Sequence, residues 1–263
     1  MSLGKVSFAV VGGSGLEKLF QTAEQIHVDT PYGASTLSVG KMANKQVAFL
    51  SRHGIDHSIP PHKINYRANI RAICDLGVER IVATNAVGAI NREFKPGQIV
   101  IPHDFVDFTK NRCTTFYDDA PVTHIDVSEP YCPELRKTII ESARELETHV
   151  HESAVLVCTE GPRLETPAEI ELFRRIGCDI VGMTGVPEVV LARELEMCYA
   201  PICYVSNMAA GIQDRLSTPR ISNVSKQIML HLGKILIETI AALPDKLRGT
   251  CSCANALREA RFE

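Results

Sequence analysis

The residues best equipped for recognition chemistry lie in Cys203-Tyr204-Val205-Ser206-Asn207-Met208-Ala209-Ala210-Gly211, where an apolar run ends on a single amide, Asn207. An amide donates and accepts at once, so Asn207 can read the N–H and C=O of a lactam edge, whereas a carboxylate there would favour an amino-substituted ring. The competing reading is a side chain that only caps the following turn.

Four further segments offer anion chemistry. Gly12-Gly13-Ser14-Gly15 follows the valine-rich run Val6 to Val11. Lys18 stands where a dinucleotide fingerprint needs its third glycine, and the Gly-Lys-Ser/Thr of a P-loop is absent. What remains is a tight turn, or a loop whose amides and Ser14 hydroxyl hold one small anion. Arg52-His53 follows the apolar run Gln46 to Leu50, and Gly54 permits a sharp turn after it. A guanidinium fork matches two phosphate oxygens, and the imidazole can add a donor. Thr84-Asn85-Ala86 and Thr184 supply hydroxyl, amide and backbone donors at two more strand ends. Four such loops can converge on one phosphate.

Glu160-Gly161-Pro162-Arg163-Leu164-Glu165-Thr166 joins a strand to a helix. Pro162 stiffens this loop, Arg163 can pair with a buried carboxylate, and Thr166 with Glu169 forms a capping box. The chain has no Gly-x-Ser-x-Gly elbow, metal-ligand helix or kinase motif set. Its chemistry therefore draws on phosphate instead of a protein nucleophile.

Alternating elements must position these loops. Strands are expected at Val6 to Val11, Gln46 to Leu50, Arg80 to Ala83, Gln98 to Ile101, Ser153 to Cys158, Ile180 to Val181 and Pro201 to Ser206. Helices are expected at Asn65 to Leu76, Pro133 to Leu146, Pro167 to Ile176, Val186 to Met197 and Ser222 to Leu243. The alternation implies an α/β fold, a central mixed, largely parallel sheet flanked by helices, with ligands at strand carboxyl ends. Residues 1–263 read as one domain, with 244–263 a polar, cysteine-containing tail.

Lys and Arg number 28 against 31 Asp and Glu, so there is no basic surplus for a nucleic-acid partner. No apolar stretch spans a bilayer and no secretory signal opens the chain, which predicts a cytoplasmic protein. Among nine cysteines, Cys74, Cys158, Cys178 and Cys203 read as small core residues. A metal site at Cys251-Ser252-Cys253 would need two more ligands, and none is near in sequence. A redox-active or disulfide-bonded tail is expected instead, with Cys132 and Cys198 available as further partners.

In combination, Gly-Gly-Ser-Gly-Leu (12–16), Arg-His-Gly (52–54) with His57, His62 to Asn69, Asn85-Ala86-Val87-Gly88, Glu160-Gly161-Pro162-Arg163, and Met183-Thr184 with Pro187-Glu188 resemble the trimeric purine nucleoside phosphorylases. The resemblance runs from about Val6 to Leu243, and the pattern is similar to the branch cleaving 5'-methylthioadenosine and 5'-methylthioinosine. It implies phosphate ligands at Ser14, Arg52, His53, Asn85, Ala86 and Thr184. It also implies Met183 against the ribose, with Leu164 and Val181 as purine walls. Methylthioadenosine phosphorylases resemble one another in presenting an aspartate where this chain has Asn207, and that departure argues against adenine and for a 6-oxopurine, with an S-methyl-5'-thioadenosine phosphorylase that tolerates Asn207 as the alternative.

Asn207, with Met208 and Ala209 beside it, would then select and stabilise the departing base, and Arg52 and His53 would work with it in catalysis. Glu165 and Ile221 join Asn207 as specificity residues. Ile221 and Val224 would form an apolar 5' pocket suited to a methylthio group. His124 would reach a neighbouring subunit's nucleoside, which predicts a homotrimer or homohexamer with a shared pocket. The resemblance implies no cofactor and no metal, with inorganic phosphate as co-substrate and a purine nucleoside as the other ligand.

Overall fold

Strand β1, Phe8–Gly12, is buried at every position because its two faces feed different cores. Phe8 and Val10 pack with one cluster of apolar side chains, and Ala9 and Val11 with another. A strand covered on both faces reads as a continuous apolar run. The computed structural model describes residues 5–13, 16–19, 21–54, 57–213, 218–244 and 251–261. Ser14 and residues 214–217 lie outside them, and so the expectations that rest on those positions do too.

β1 pairs in parallel with β4 (Lys45–Ser51) on one side and with β5 (Arg80–Ala89) on the other. Beyond β4 lie the antiparallel strands β2 (Gln21–Thr30) and β3 (Gly33–Met42). These two escape a reading by apolar runs, since β3 alternates exposed and buried residues along an outer part of the sheet. On its far edge β5 is followed in parallel by β11 (Cys198–Met208), from Cys198 opposite Arg80 to Met208 opposite Ala89. This continuous partner keeps Thr84-Asn85-Ala86-Val87-Gly88 in the strand, where a loop was expected.

The near edge of β5 is divided. β1 occupies it only as far as Ala83. From the opposite direction β10 (Ile180–Gly182) pairs antiparallel with Gly88 and Ala89. Among the described residues, no strand covers the edge of 84–87 between them. Next to β10 run β9 (Val155–Thr159) and β7 (Asp104–Phe108), parallel to it and to each other. The short strands β6 (Ile99–Val100) and β8 (Val150–His151) extend the sheet beyond β11.

Helices cover both faces. Leu135 and Ile139 of α2 (Pro133–Glu145) and Leu232, Ile235 and Leu236 of α5 (Thr218–Ala242) share a core with Phe8, Val82 and Ile202. On the opposite face Ile70 and Ile73 of α1 (Tyr66–Asp75) and Val189 and Leu191 of α4 (Glu188–Glu194) pack with Val11, Ile81 and Ala83. The side chain of Asn65 caps α1 by accepting from the Ala68 amide. In α3 (Pro167–Arg175) the capping box of Thr166 and Glu169 forms as expected. No helix among the described residues is long and apolar enough to cross a membrane.

The tail departs from its expected polar character. Residues 251–261 fold back on the body with Cys251 and Cys253 buried, and all nine cysteines are free thiols. The His124 amide donates to the Ala260 carbonyl, and Thr123 bridges to Arg261.

Candidate active site

The carboxyl ends of β1 and β10 point at one another across the uncovered stretch of β5, and a cavity of about 930 Å³ opens there. Such a switch point gathers loops from several strands without blocking access. Gly13 follows β1, Arg52 and His53 follow β4, and Met183 and Thr184 follow β10. Thr84, Ala86, Val87 and Gly88 form the floor. A Cβ on Gly12 would lie 2.6 Å from the Thr84 hydroxyl, so only glycine lets β1 end this close to β5.

Arg52 is 2% exposed, and its orientation is settled by a second buried charge. Its Nε and Nη2 donate to the two carboxylate oxygens of Glu188, the Nη2 bond being 2.9 Å. Nη1 donates to the Thr84 carbonyl at 3.0 Å, and the Tyr199 hydroxyl donates to Glu188 at 2.8 Å. Burial opposes the charge on Arg52, but Glu188 more than reverses this and holds its pKa above the ordinary value. The expectation that the guanidinium fork is open to phosphate is therefore narrowed. The fork is bound to Glu188, and of five N–H donors two remain for a ligand.

His53 also differs from expectation. Its Nδ1 lies 2.9 Å from the Ile59 carbonyl, which can only accept, so the proton is on Nδ1 and Nε2 presents a lone pair. Desolvation chiefly, with Arg52 nearby, pushes its pKa down to about 4. The neutral ring stacks on His57 with centroids 4.4 Å apart. It can accept from a phosphate hydroxyl, and donates from Nε2 only when protonated.

The lining also includes the end of β11. β11 carries an irregularity between Val205 and Asn207 that turns Ser206 and Asn207 to the cavity wall. Asn207 Oδ1 accepts from the Ser206 hydroxyl at 2.7 Å and Nδ2 donates to the Met208 carbonyl at 2.9 Å. One amide hydrogen and one acceptor lobe stay available. Glu165 lies on the same cavity, and Thr159 donates to its Oε1 at 2.7 Å. Leu164, Val181 and Ala209 line the walls. Gly161, at φ +64°, lies where a Cβ would meet the Met183 sulfur at 2.6 Å.

Several expected residues lie elsewhere. Asn85 is 2% exposed and off the cavity wall. Strand alternation turns its side chain away while Thr84 and Ala86 face the cavity. Met208 and Val224 are absent from the lining. Ile221 lines it beside Ser222, Ser225, Lys226 and Met229, so the α5 end is mixed where an apolar pocket was expected. His124 is exposed, outside the cavity of its own chain. Arg163 pairs at 2.6 Å with Glu169 on the surface, because its side chain is 63% exposed, and meets no buried carboxylate.

Two supports were given no role by the sequence, although Pro187-Glu188 belongs to the family pattern. Glu188 stands alone among apolar residues in Val186-Pro187-Glu188-Val189-Val190-Leu191, and an isolated acid in such a run is itself a sign of a buried cationic partner. Arg112 donates to the carbonyls of Thr159, Glu160, Met183 and Val186 and so ties together the loops that carry Glu165 and Met183. Its position in an irregular stretch leaves no periodic signal.

The chain belongs to the phosphorylase superfamily, whose family model matches residues 7–241. The relatives are nucleoside phosphorylases. A Methanopyrus kandleri protein named probable S-methyl-5'-thioinosine phosphorylase is 49% identical over 95% of this chain and 97% of its own. The 6-oxopurine nucleoside phosphorylase of Pyrococcus furiosus is 48% identical over 96% and 98%. Among solved structures, a methylthioadenosine phosphorylase from an antarctic soil metagenomic library superposes with a TM-score of 0.92 at 31% identity, covering 98% of this chain and 93% of that one.

Proposed function

We propose that this enzyme is a pentosyltransferase that cleaves 6-oxopurine nucleosides with inorganic phosphate, its substrates including S-methyl-5'-thioinosine, inosine and guanosine. The observation that supports this reading is that Glu165 and Asn207 line one cavity. A carboxylate only accepts, so Glu165 suits the N1–H of hypoxanthine or guanine and repels the N1 lone pair of adenine. Asn207 has an N–H left to donate to O6 or N7.

Phosphate meets the two free N–H groups of Arg52, the hydroxyls of Thr84 and Thr184, the turn at Gly13 and the uncovered edge of β5 at Ala86. His53 accepts from a phosphate hydroxyl through Nε2. The C1'–N9 bond breaks and its electron pair leaves with the purine, while a phosphate oxygen forms the new C1'–O bond. The base takes up a proton from solvent, and the products are free hypoxanthine or guanine and ribose 1-phosphate or its 5-methylthio analogue. Positive charge developing on the sugar is stabilised by the adjacent phosphate, and negative charge on the base by Asn207. Glu188 holds Arg52 and cancels its charge, so phosphate is bound by directed donors and is not locked in by an excess of positive charge.

Met183 lies against the sugar. At the 5' end Ile221 and Met229 suit a methylthio group, and Ser222 and Ser225 a hydroxyl. We read His124 as serving a neighbouring subunit in a homotrimer or homohexamer, in cytoplasmic purine salvage with no cofactor. The test is a panel of inosine, guanosine, S-methyl-5'-thioinosine, adenosine and S-methyl-5'-thioadenosine, with and without phosphate, scored by free base released. Preference for the aminopurines would overturn the base assignment, and activity that persists without phosphate would overturn phosphorolysis. Light scattering on the eluting protein tests the assembly.

A further inference from the structure

The active site makes no use of Cys132, Cys198, Cys251 and Cys253, which three separate parts of the chain bring together. Cys132 precedes α2, Cys198 opens β11, and Cys251 and Cys253 flank the start of a short turn in the C-terminal segment. The Cys132 amide donates to the Tyr199 carbonyl, which fastens the first two sites to each other. All four sulfurs lie within 4.8 Å of one another, the Cys198 and Cys251 pair at 3.6 Å. Four thiolates bound tetrahedrally at about 2.3 Å stand about 3.8 Å apart along each edge, so the cluster already has nearly the dimensions of such a site. None of the four residues is more than 9% exposed.

A second observation concerns charge. Arg193 is 5% exposed, and its Nη1 donates to Cys253 Sγ at 3.2 Å and its Nη2 to the Ser252 hydroxyl at 3.1 Å. Among the described residues no carboxylate forms an ion pair with it. A buried guanidinium needs an anionic partner. Neutral thiols and disulfides provide none, whereas a divalent ion held by four thiolates carries two net negative charges.

We propose that Cys132, Cys198, Cys251 and Cys253 bind one Zn²⁺ as a closed tetrahedral tetrathiolate, with Arg193 offsetting part of its charge. A site with four protein ligands and no open position is structural. It clamps the C-terminal segment to the body, and through the Ala260 carbonyl and the Arg261 bridge that segment supports the stretch carrying Thr123 and His124.

The whole chain, produced with zinc in the medium, should contain one zinc per chain by elemental analysis. After denaturation and chelation without reductant it should titrate for nine thiols. Reconstitution with Co²⁺ should give a thiolate-to-cobalt charge-transfer band, lost in Cys132→Ser and Cys253→Ser and kept in Cys113→Ser, whose cysteine is exposed. A count of five thiols, as left by two disulfides among the four, would overturn the proposal. So would nine thiols with no metal retained after incubation with equimolar zinc. Both measurements use the unaltered protein, so misfolding of a variant cannot blur the answer.

Discussion

Replacing Glu165 with Gln changes one atom in the cavity, and the surrounding bonds set the direction of its effect. The Thr159 hydroxyl donates to Oε1 at 2.7 Å and is 3.4 Å from its alternative acceptor, the Gly182 carbonyl. It therefore retains the oxygen of the new amide and turns the NH₂ toward the ligand. A 6-oxopurine then meets a donor opposite its N1–H and loses a hydrogen bond to a charged group, about 1.5–3 kcal/mol. That is roughly a tenfold to hundredfold fall in kcat/KM for inosine and guanosine. Adenosine presents a lone pair at N1, which the same NH₂ satisfies, so its kcat/KM should rise or hold. The inosine-to-adenosine ratio of kcat/KM, measured by base release under matched phosphate, should drop by about a hundredfold while the thermal midpoint stays within a few degrees. An unchanged ratio in a folded variant would refute the claim that Glu165 reads N1–H, and with it the main argument for 6-oxopurines.

Asn207→Asp should shift preference the same way by about 1–3 kcal/mol, roughly tenfold or more, because the N–H donated to O6 or N7 is lost; the same substrate panel checks it. Glu188→Ala strands the buried Arg52 charge, which costs about 3–5 kcal/mol and should lower the thermal midpoint by on the order of 10 °C, together with a loss of activity. His53 has a folded pKa of about 4 against 6.5, so the unfolded chain binds the extra proton first. Its contribution to stability is present above pH 6.5 and lost as pH falls toward 4. Urea midpoints compared across that range should decline less steeply in His53→Gln than in the parent chain. Arg112→Lys should reduce kcat/KM by about tenfold or more, because one ammonium cannot reach the four carbonyls that the guanidinium joins; steady-state kinetics with inosine measures this.

Much of the core was legible from local pattern. The run Val6 to Val11 had to be a buried strand, the apolar spacing of Ile70, Ile73 and Leu76 marked the helix that begins near Tyr66, and Thr166 with Glu169 announced a cap. β2 and β3 were not legible, since strands at the outer part of a sheet bury only alternate residues and resemble loops in composition. The stretch 84–88 was misread because nothing local distinguishes a strand end from a strand continued by a distant partner. Here that partner is β11, more than a hundred residues away.

Taken alone, the sequence determined that this chain alternates strands with helices, that glycine, arginine and threonine donors stand near strand ends, and that an amide occupies position 207. Those are consequences of residue type and spacing, which act over a few residues. Only the tertiary structure decided that β1 and β10 meet end to end across β5, that the fork of Arg52 belongs to Glu188, and that Glu165 faces the same cavity as Asn207. Only it brought Cys132 and Cys198 to Cys251 and Cys253. Each of these depends on strand pairing and burial between residues remote in sequence, and such contacts leave no mark in the spacing of the residues that make them.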